Sequence, residues 1–164
     1  AVQMKFGPSQ ALKELALIKE QTQKLSQIRQ AITQGDLAPF NELSLLQHKE
    51  AVINKIDFKA MKPVIQETII AHLVNQPIPF VVLNLSHNRA ITLEALKKIL
   101  QGAPSLKRLN LSYCPVVTDE IWPQLEKLCP GLEQLDLTGT ALTQIENPDL
   151  PQLQKLTVSR CWLL

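Results

Sequence analysis

The sequence predicts an α/β fold built from repeats, with short parallel strands along one side and helices along the other. The main evidence is a strand-like pattern of alternating leucines that returns at steps of 26, 26 and 21 residues. Self-similarity at a fixed period of this length is typical of a repeat solenoid. The four copies of the pattern are residues 80–88, 106–114, 132–140 and 153–161.

Each copy contains two aliphatic residues separated by one position, as Leu109 and Leu111 are. Side chains on a strand point alternately to opposite faces, so these aliphatic residues all point into one core. The copy then ends in a small side chain able to form hydrogen bonds, which suits a turn where buried backbone groups need partners. These end positions are Asn88, Cys114, Thr140 and Cys161.

The residues of one copy follow the pattern L-x-x-L-x-L-x-x-N/C-x-L, which resembles that of the leucine-rich repeat family. Residues 109–119 and 129–137 resemble its cysteine-containing subtype, known from the substrate-recognition arms of F-box ubiquitin-ligase adaptors. The resemblance covers residues 80–164, about half of the chain. It implies a leucine-rich-repeat solenoid with a short curved parallel sheet, helices on the convex side, and a role in binding proteins.

Helices are expected between the strands of the first two full repeats. Thr92 and Thr118 stand where N-caps are expected, and apolar residues follow both at helical spacing. Pro123 lies just beyond the first turn of a helix capped by Thr118, so we expect it to distort that helix. The last step is shorter, and residues 141–150 leave room for an extended or 3₁₀ segment rather than a helix.

Residues 1–52 are expected to form a helical cap that covers the exposed end of the solenoid core. Residues 8–34 are predicted to form one long helix and residues 42–52 a shorter one. The long helix either packs on its own domain or serves as a coiled-coil or partner-binding arm, although its stripe is shorter than a coiled coil requires. This apolar stripe consists of Leu12, Leu15, Ile18, Leu25, Ile28 and Ile32.

A degenerate extra repeat is predicted between the cap and the first clear copy. Residues 53–58 fit the strand pattern 27 residues before Phe80, and residues 62–74 would form the helix of that repeat. The repeat domain would then cover residues 53–164, with one degenerate and four clear repeats and a sheet of five strands. Because the sequence lacks an initiator Met and stops after the fourth strand, we expect further repeats or a capping segment in the full protein.

Charge and composition do not support nucleic-acid or membrane binding. With 17 basic and 15 acidic residues the net charge is +2, whereas nucleic-acid binding usually shows as a strongly basic face. The sequence has no apolar run of about 18 residues that could span a membrane. Cys114, Cys129 and Cys161 are odd in number and are interpreted as reduced thiols, which favours an intracellular, cytoplasmic protein. We expect a monomer.

The sequence contains no recognisable catalytic or metal-binding signature. Its three histidines lack the spacing of metal ligands, its five glycines form no phosphate-binding loop, and no cysteine lies in a catalytic motif. We therefore predict a protein that is not an enzyme and that uses no metal or cofactor.

The predicted function is the binding of a protein partner on the concave face of the sheet, where outward side chains align in columns. Arg and Tyr are enriched among the residues that dominate binding energy at interfaces. The hypotheses are a partner-recruiting module, including a bacterial effector in a host cytoplasm, the substrate-recognition arm of a ubiquitin ligase, or the targeting module of an enzyme whose catalytic domain lies elsewhere. No F-box is recognisable in residues 1–79, which counts against the second. The candidate partner-binding residues are Arg108, Asn110, Tyr113, Asp136, Lys155 and Arg160.

Overall fold

A computed structural model describes residues 7–145, 148–161 and 163 of the chain. Within these residues the chain forms six α-helices, a 3₁₀ turn at Phe58–Ala60 and four strands. The helices are α1 (Pro8–Thr33), α2 (Ala38–Asn41), α3 (Leu46–Asn54), α4 (Pro63–Asn75), α5 (Leu93–Gln101) and α6 (Ile121–Leu128). The strands are β1 (Val82–Asn84), β2 (Arg108–Asn110), β3 (Gln134–Asp136) and β4 (Lys155–Thr157).

The four strands form one parallel sheet in the order β1-β2-β3-β4. The register pairs equivalent residues of the repeats, so Leu83 lies beside Leu109, Leu109 beside Leu135, and Leu135 beside Leu156. The first two crossovers contain α5 and α6, whereas the third contains no helix in its described residues 141–145 and 148–150. The prediction of a mixed α/β fold with a parallel sheet is therefore confirmed.

The aliphatic residues of the strands form a core with the helices. Leu83, Leu109 and Leu135 are at most 2% exposed, and each such buried side chain contributes about 1.5–3 kcal/mol by leaving water. The corresponding residue of β4, Leu156, is only half-buried. The core is therefore closed around the first three strands and more open at the fourth.

The expected fifth strand at residues 53–58 does not form, and this prediction was wrong. The segment contains the end of α3, a short turn and the first residue of the 3₁₀ turn. Ile53, Ile56 and Phe58 are nevertheless buried in the common core. The spacing of apolar residues at 53–58 therefore predicts which of them are buried. Burial alone does not distinguish a strand from the end of a helix.

Side chains of α3 occupy the place that a fifth strand would take beside β1. The Glu50 carboxylate accepts the backbone N–H groups of Val81 and Val82 at 3.1 and 2.7 Å. The Asn54 amide donates to the carbonyl of Val82 at 2.7 Å, and its oxygen accepts the N–H of Asn84 at 2.7 Å. Backbone groups that an edge strand would leave unpaired are thereby satisfied.

Because no strand precedes β1 in the described part of the chain, the side chain of Asn88 lacks a hydrogen bond that the equivalent cysteines form. Cys114 and Cys161 occupy the same turn position in later repeats, and their thiols donate to the carbonyls of Leu85 and Leu137, each in an earlier repeat. For Asn88 no earlier repeat strand supplies such a carbonyl, and its buried Nδ2 has no hydrogen-bond partner among the residues that the structure describes. Its oxygen still holds the turn by accepting two backbone N–H groups.

A buried glutamine connects the helical region to the first repeat. Gln66, on α4, is 2% exposed. Its Nε2 donates to the carbonyl of Phe58 at 2.7 Å, and its Oε1 accepts the N–H of Arg89 at 2.9 Å. A buried amide is costly unless both of its ends are paired. The bond to Arg89 holds the first repeat against α4, and the bond to Phe58 holds the 3₁₀ turn there.

The helix between β1 and β2 starts as predicted, and the next one does not. Thr92 caps α5 by accepting the N–H of Ala95 at 3.1 Å. Thr118 does not cap α6, which begins at Ile121. Pro123 therefore lies in the first turn, where its missing N–H has no helical partner in any case, and the expected distortion has no cause.

The long helix α1 has a packed end and an exposed end. Near its C-terminus Ile28 and Ile32 are 5% and 0% exposed, whereas Leu12, Leu15 and Ile18 are at least half exposed. Packing on the domain therefore accounts for the C-terminal part, and a partner-binding role for the N-terminal part stays a prediction. None of the described helices is long and apolar enough to cross a membrane.

This division of α1 predicts different costs for two identical substitutions. Ile32→Ala should lower the free energy of unfolding by about 2–5 kcal/mol because it empties a buried site. Ile18→Ala should change it by less than about 0.5 kcal/mol because that side chain is exposed. Urea denaturation followed by circular dichroism measures both values. Equal values for the two variants would show that the N-terminal part of α1 is packed as tightly as the C-terminal part.

Candidate functional site

A shallow groove of about 270 Å³ runs across the strands on the face of the sheet that carries the outward side chains. Most side chains that project into it are polar, because the leucines of the same strands point into the core. The outward side chains that line it are Val82, Asn84, Arg108, Asn110, Gln134, Asp136, Lys155 and Thr157.

The outward side chains form two rows across the sheet. The parallel register places Arg108, Gln134 and Lys155 side by side at the first position of their strands. The third position forms a second row of Asn110, Asp136 and Thr157, with Asn84 at its start. The columns expected from the sequence are therefore present for these two positions.

Three residues of the second row also hold the turns that follow the strands. In Asn84, Asn110 and Asp136 the Oδ1 atom accepts the backbone N–H two residues further along, at 2.9–3.0 Å. Short polar side chains favour such turns because they replace a backbone acceptor. Asn110 and Asp136 therefore have a structural role that the sequence pattern did not reveal.

A third set of equivalent residues, one from each repeat, lies in the turns that follow the strands. His87, Tyr113 and Arg160 have φ angles of 62°, 56° and 56°, and Gly139 has a φ of 68°. This left-handed conformation costs a residue other than glycine about 1–2 kcal/mol. It recurs in all four repeats and directs these residues along one edge of the groove.

Aromatic and cationic side chains meet along this edge. The rings of His87 and Tyr113 stack with centroids 4.7 Å apart and planes 10° apart. Nη1 of Arg160 lies 3.5 Å from the Tyr113 hydroxyl. The Tyr113 ring covers Gly139 so closely that a Cβ atom there would lie 2.4 Å from it. The absence of a side chain at Gly139 therefore allows Tyr113 to lie as it does.

The structure thus brings the six predicted site residues to one surface in two groups. Arg108, Asn110, Asp136 and Lys155 line the groove itself. Tyr113 and Arg160 lie at the turns beside it, within contact of each other. The choice from sequence omitted other members of the same surface, although they stand at equivalent positions of the repeat: Asn84, His87, Gln134 and Gly139.

The chemistry of this surface consists of hydrogen bonds and charges. Burial raises the pKa of Cys114 and of Cys129 to about 11, so these thiols are protonated and unreactive near neutral pH. In the part of the chain that the structure describes, no three His, Cys, Asp or Glu side chains are grouped to hold a metal ion.

These features define a repeat protein with polar side chains in rows on one face of a parallel sheet. Comparison with known families agrees with that class: residues 79–100 and 102–121 match the family model described as Leucine Rich repeat. Residues 79–121 are therefore a leucine-rich repeat segment, and β3 and β4 continue its register. Such repeats generally mediate protein–protein interaction and are typically not enzymes.

The contact between Gly139 and Tyr113 predicts the effect of adding one methyl group. Gly139→Ala should lower the free energy of unfolding by about 1–3 kcal/mol, because it combines a left-handed φ with a clash against the ring. Gly131→Ala is the matched control, since its Cβ would meet only the mobile end of Lys107 at 3.3 Å.

Removing the ring tests the cause of that loss. In a double-mutant cycle, the pair Tyr113→Ala and Gly139→Ala should cost less than the sum of the two single changes, because the clash is gone. Urea denaturation supplies the four free energies. Strict additivity would show that Tyr113 does not cover Gly139 in solution.

Proposed function

We propose that this protein is an interaction module that binds a protein partner in the groove over its sheet and along the adjoining turns. The observation that carries the proposal is the convergence on one surface of polar, cationic and aromatic side chains from successive repeats. Arg108 and Tyr113 are of the residue types that dominate binding energy at protein interfaces. A leucine-rich repeat segment of this kind generally serves that purpose.

The size of the sheet explains why the turns belong to the proposed site. Four strands about 4.8 Å apart and three residues long present a face of roughly 190 Å². A standard interface buries about 800 Å² on each partner. The edge formed by His87, Tyr113 and Arg160 adjoins the groove and enlarges the surface available to a partner.

Three finer points belong to the same proposal. The residues before residue 53 act as the N-terminal cap of a leucine-rich-repeat solenoid, supported by the Glu50 carboxylate, which accepts the backbone N–H of Val82 in β1. The repeats are of the cysteine-containing subtype, supported by the equivalent thiols of Cys114 and Cys161. The protein works in a reducing, intracellular compartment, supported by three cysteines that are buried and free.

The proposal is tested by blocking the groove with a bulky residue. Gln134 lies at its centre on β3, and Gln134→Trp fills it with a side chain that strands accommodate well. Gln101→Trp makes the same exchange at the exposed end of α5 and is the control. Each chain, once shown to unfold at the same temperature as the original, is used for quantitative affinity capture from a eukaryotic cell lysate.

We expect proteins that bind the original and the Gln101→Trp chain and are lost with Gln134→Trp. Retention of the same proteins by all three chains would reject the groove as the binding site. In that case the exposed part of α1 would become the next surface to test.

A further inference from the structure

Hydrogen-bond donors outnumber acceptors among the side chains that line the groove. In Asn84 and Asn110 the oxygen is identified by the backbone N–H group that donates to it, so the other atom of each amide is the NH₂ group. These Nδ2 groups have no acceptor among the described residues. The floor of the groove therefore presents free donors to whatever enters it.

Two cations stand on either side of the groove's centre. Arg108 on β2 and Lys155 on β4 are both exposed and flank Gln134 in one row. With strands about 4.8 Å apart, their Cα atoms are separated by about 10 Å. Within residues 7–145, 148–161 and 163 the only salt bridge joins Lys97 to Glu94, so neither cation has a carboxylate partner.

Among the described residues that line the groove, Asp136 is the only carboxylate, and it does not pair with either cation. Asp136 directs Oδ1 to the backbone N–H of Thr138 at 2.9 Å and forms no salt bridge in the described chain. Arg160 adds a third cation at the turn beside β4. Three cations against one carboxylate leave the surface with two positive charges, although the whole chain carries only +2.

We propose that the groove binds a linear acidic segment of a protein partner. This inference rests on the proposed function and names the chemistry of the partner. Carboxylates of the segment pair with Arg108 and Lys155, and carbonyl oxygens of its main chain accept from the Nδ2 groups of Asn84 and Asn110.

The distance between the two cations sets the spacing of the acidic residues. An extended peptide advances about 3.3 Å per residue, so about 10 Å corresponds to three residues. Because Arg and Glu side chains are long, acidic residues two or three positions apart reach both cations. A peptide fits better than a nucleic acid, since the amide groups in the groove match a peptide main chain. The rings of His87 and Tyr113 lie at its edge and already stack on each other, so that face of each ring is not open to a base.

The test uses fluorescence anisotropy with three labelled probes at about 50 mM salt. The first is a peptide of about ten residues with alternating Ser and Glu, long enough to cross the groove when extended. The second replaces every Glu by Gln, and the third is single-stranded oligothymidylate with the same number of negative charges.

We expect the Glu peptide to bind about tenfold more tightly than the Gln peptide and more tightly than the oligonucleotide. The double variant Arg108→Gln and Lys155→Gln should lose about tenfold in affinity for the Glu peptide. Lys98→Gln with Lys127→Gln removes the same charge from the exposed positions on α5 and α6 and should lose little.

A further variant separates binding from folding. Asn110→Asp retains the oxygen that holds its turn, as Asp136 does at the equivalent position, and replaces the free donor by a negative charge. It should keep the unfolding temperature of the original and weaken the Glu peptide severalfold.

The inference would be overturned if the Glu and Gln peptides bound equally or if neither bound. It would also be overturned if the groove variant, Arg108→Gln with Lys155→Gln, lost no more affinity than the helix variant, Lys98→Gln with Lys127→Gln. Tighter binding of the oligonucleotide would also overturn it, in favour of nucleic acid. One outcome separates the two proposals. If Gln134→Trp abolished the binding of a captured protein and Arg108→Gln with Lys155→Gln left that binding unchanged, the acidic segment would be rejected and the proposed function would stand.

Discussion

The structure depends on how the first strand of the sheet is covered. A parallel sheet exposes unpaired backbone groups at each edge, and such edges invite association with other chains. Here Glu50 and Asn54 of α3 satisfy three N–H groups and one carbonyl of β1 and the residue before it. A helix thus performs the hydrogen bonding of a strand, and the helical region becomes continuous with the repeats. Gln66 strengthens this junction from the neighbouring helix α4.

From that covered edge each strand determines the place of the next. The register places Leu83 beside Leu109 and Leu109 beside Leu135. The residues on either side of each leucine in its strand point away from the core and form the rows. In successive repeats the turn after the strand has a side-chain oxygen acceptor at the same position and a left-handed backbone conformation at the same position. The groove is therefore a consequence of the repeat itself, and its chemistry depends on which side chains occupy the rows.

The sequence predicted what depends on periodicity and missed what depends on contacts between distant residues. The four strands, the pairing of equivalent leucines and the helix α5 follow from local spacing and a capping threonine. The strand predicted at residues 53–58 is absent because the buried residues there have a spacing that both a strand and a helix end can satisfy. The partners Glu50 and Asn54 lie about thirty residues from β1 in the chain, as their bonds to Val82 and Asn84 show, and no local signal marks them.

The same distinction applies to the candidate site. The columns were predictable, because outward positions of a parallel sheet must align. The second role of Asn110 and Asp136 in holding turns was not predicted, since it requires the geometry after the strand. The placement of Tyr113 over Gly139 was also not predictable, since it depends on two residues in different repeats whose approach only the fold defines.

Amide hydrogen exchange measured by NMR tests the central claim that α3 takes the place of a strand. The amides of Val82 and Asn84, bonded only to side chains of α3, should exchange within about tenfold of the rate of Leu85, whose amide is bonded to the carbonyl of Asn110 inside the sheet. Exchange of Val82 and Asn84 at the rate of an unprotected peptide, with Leu85 still protected, would contradict the claim and show that the first edge of the sheet is open.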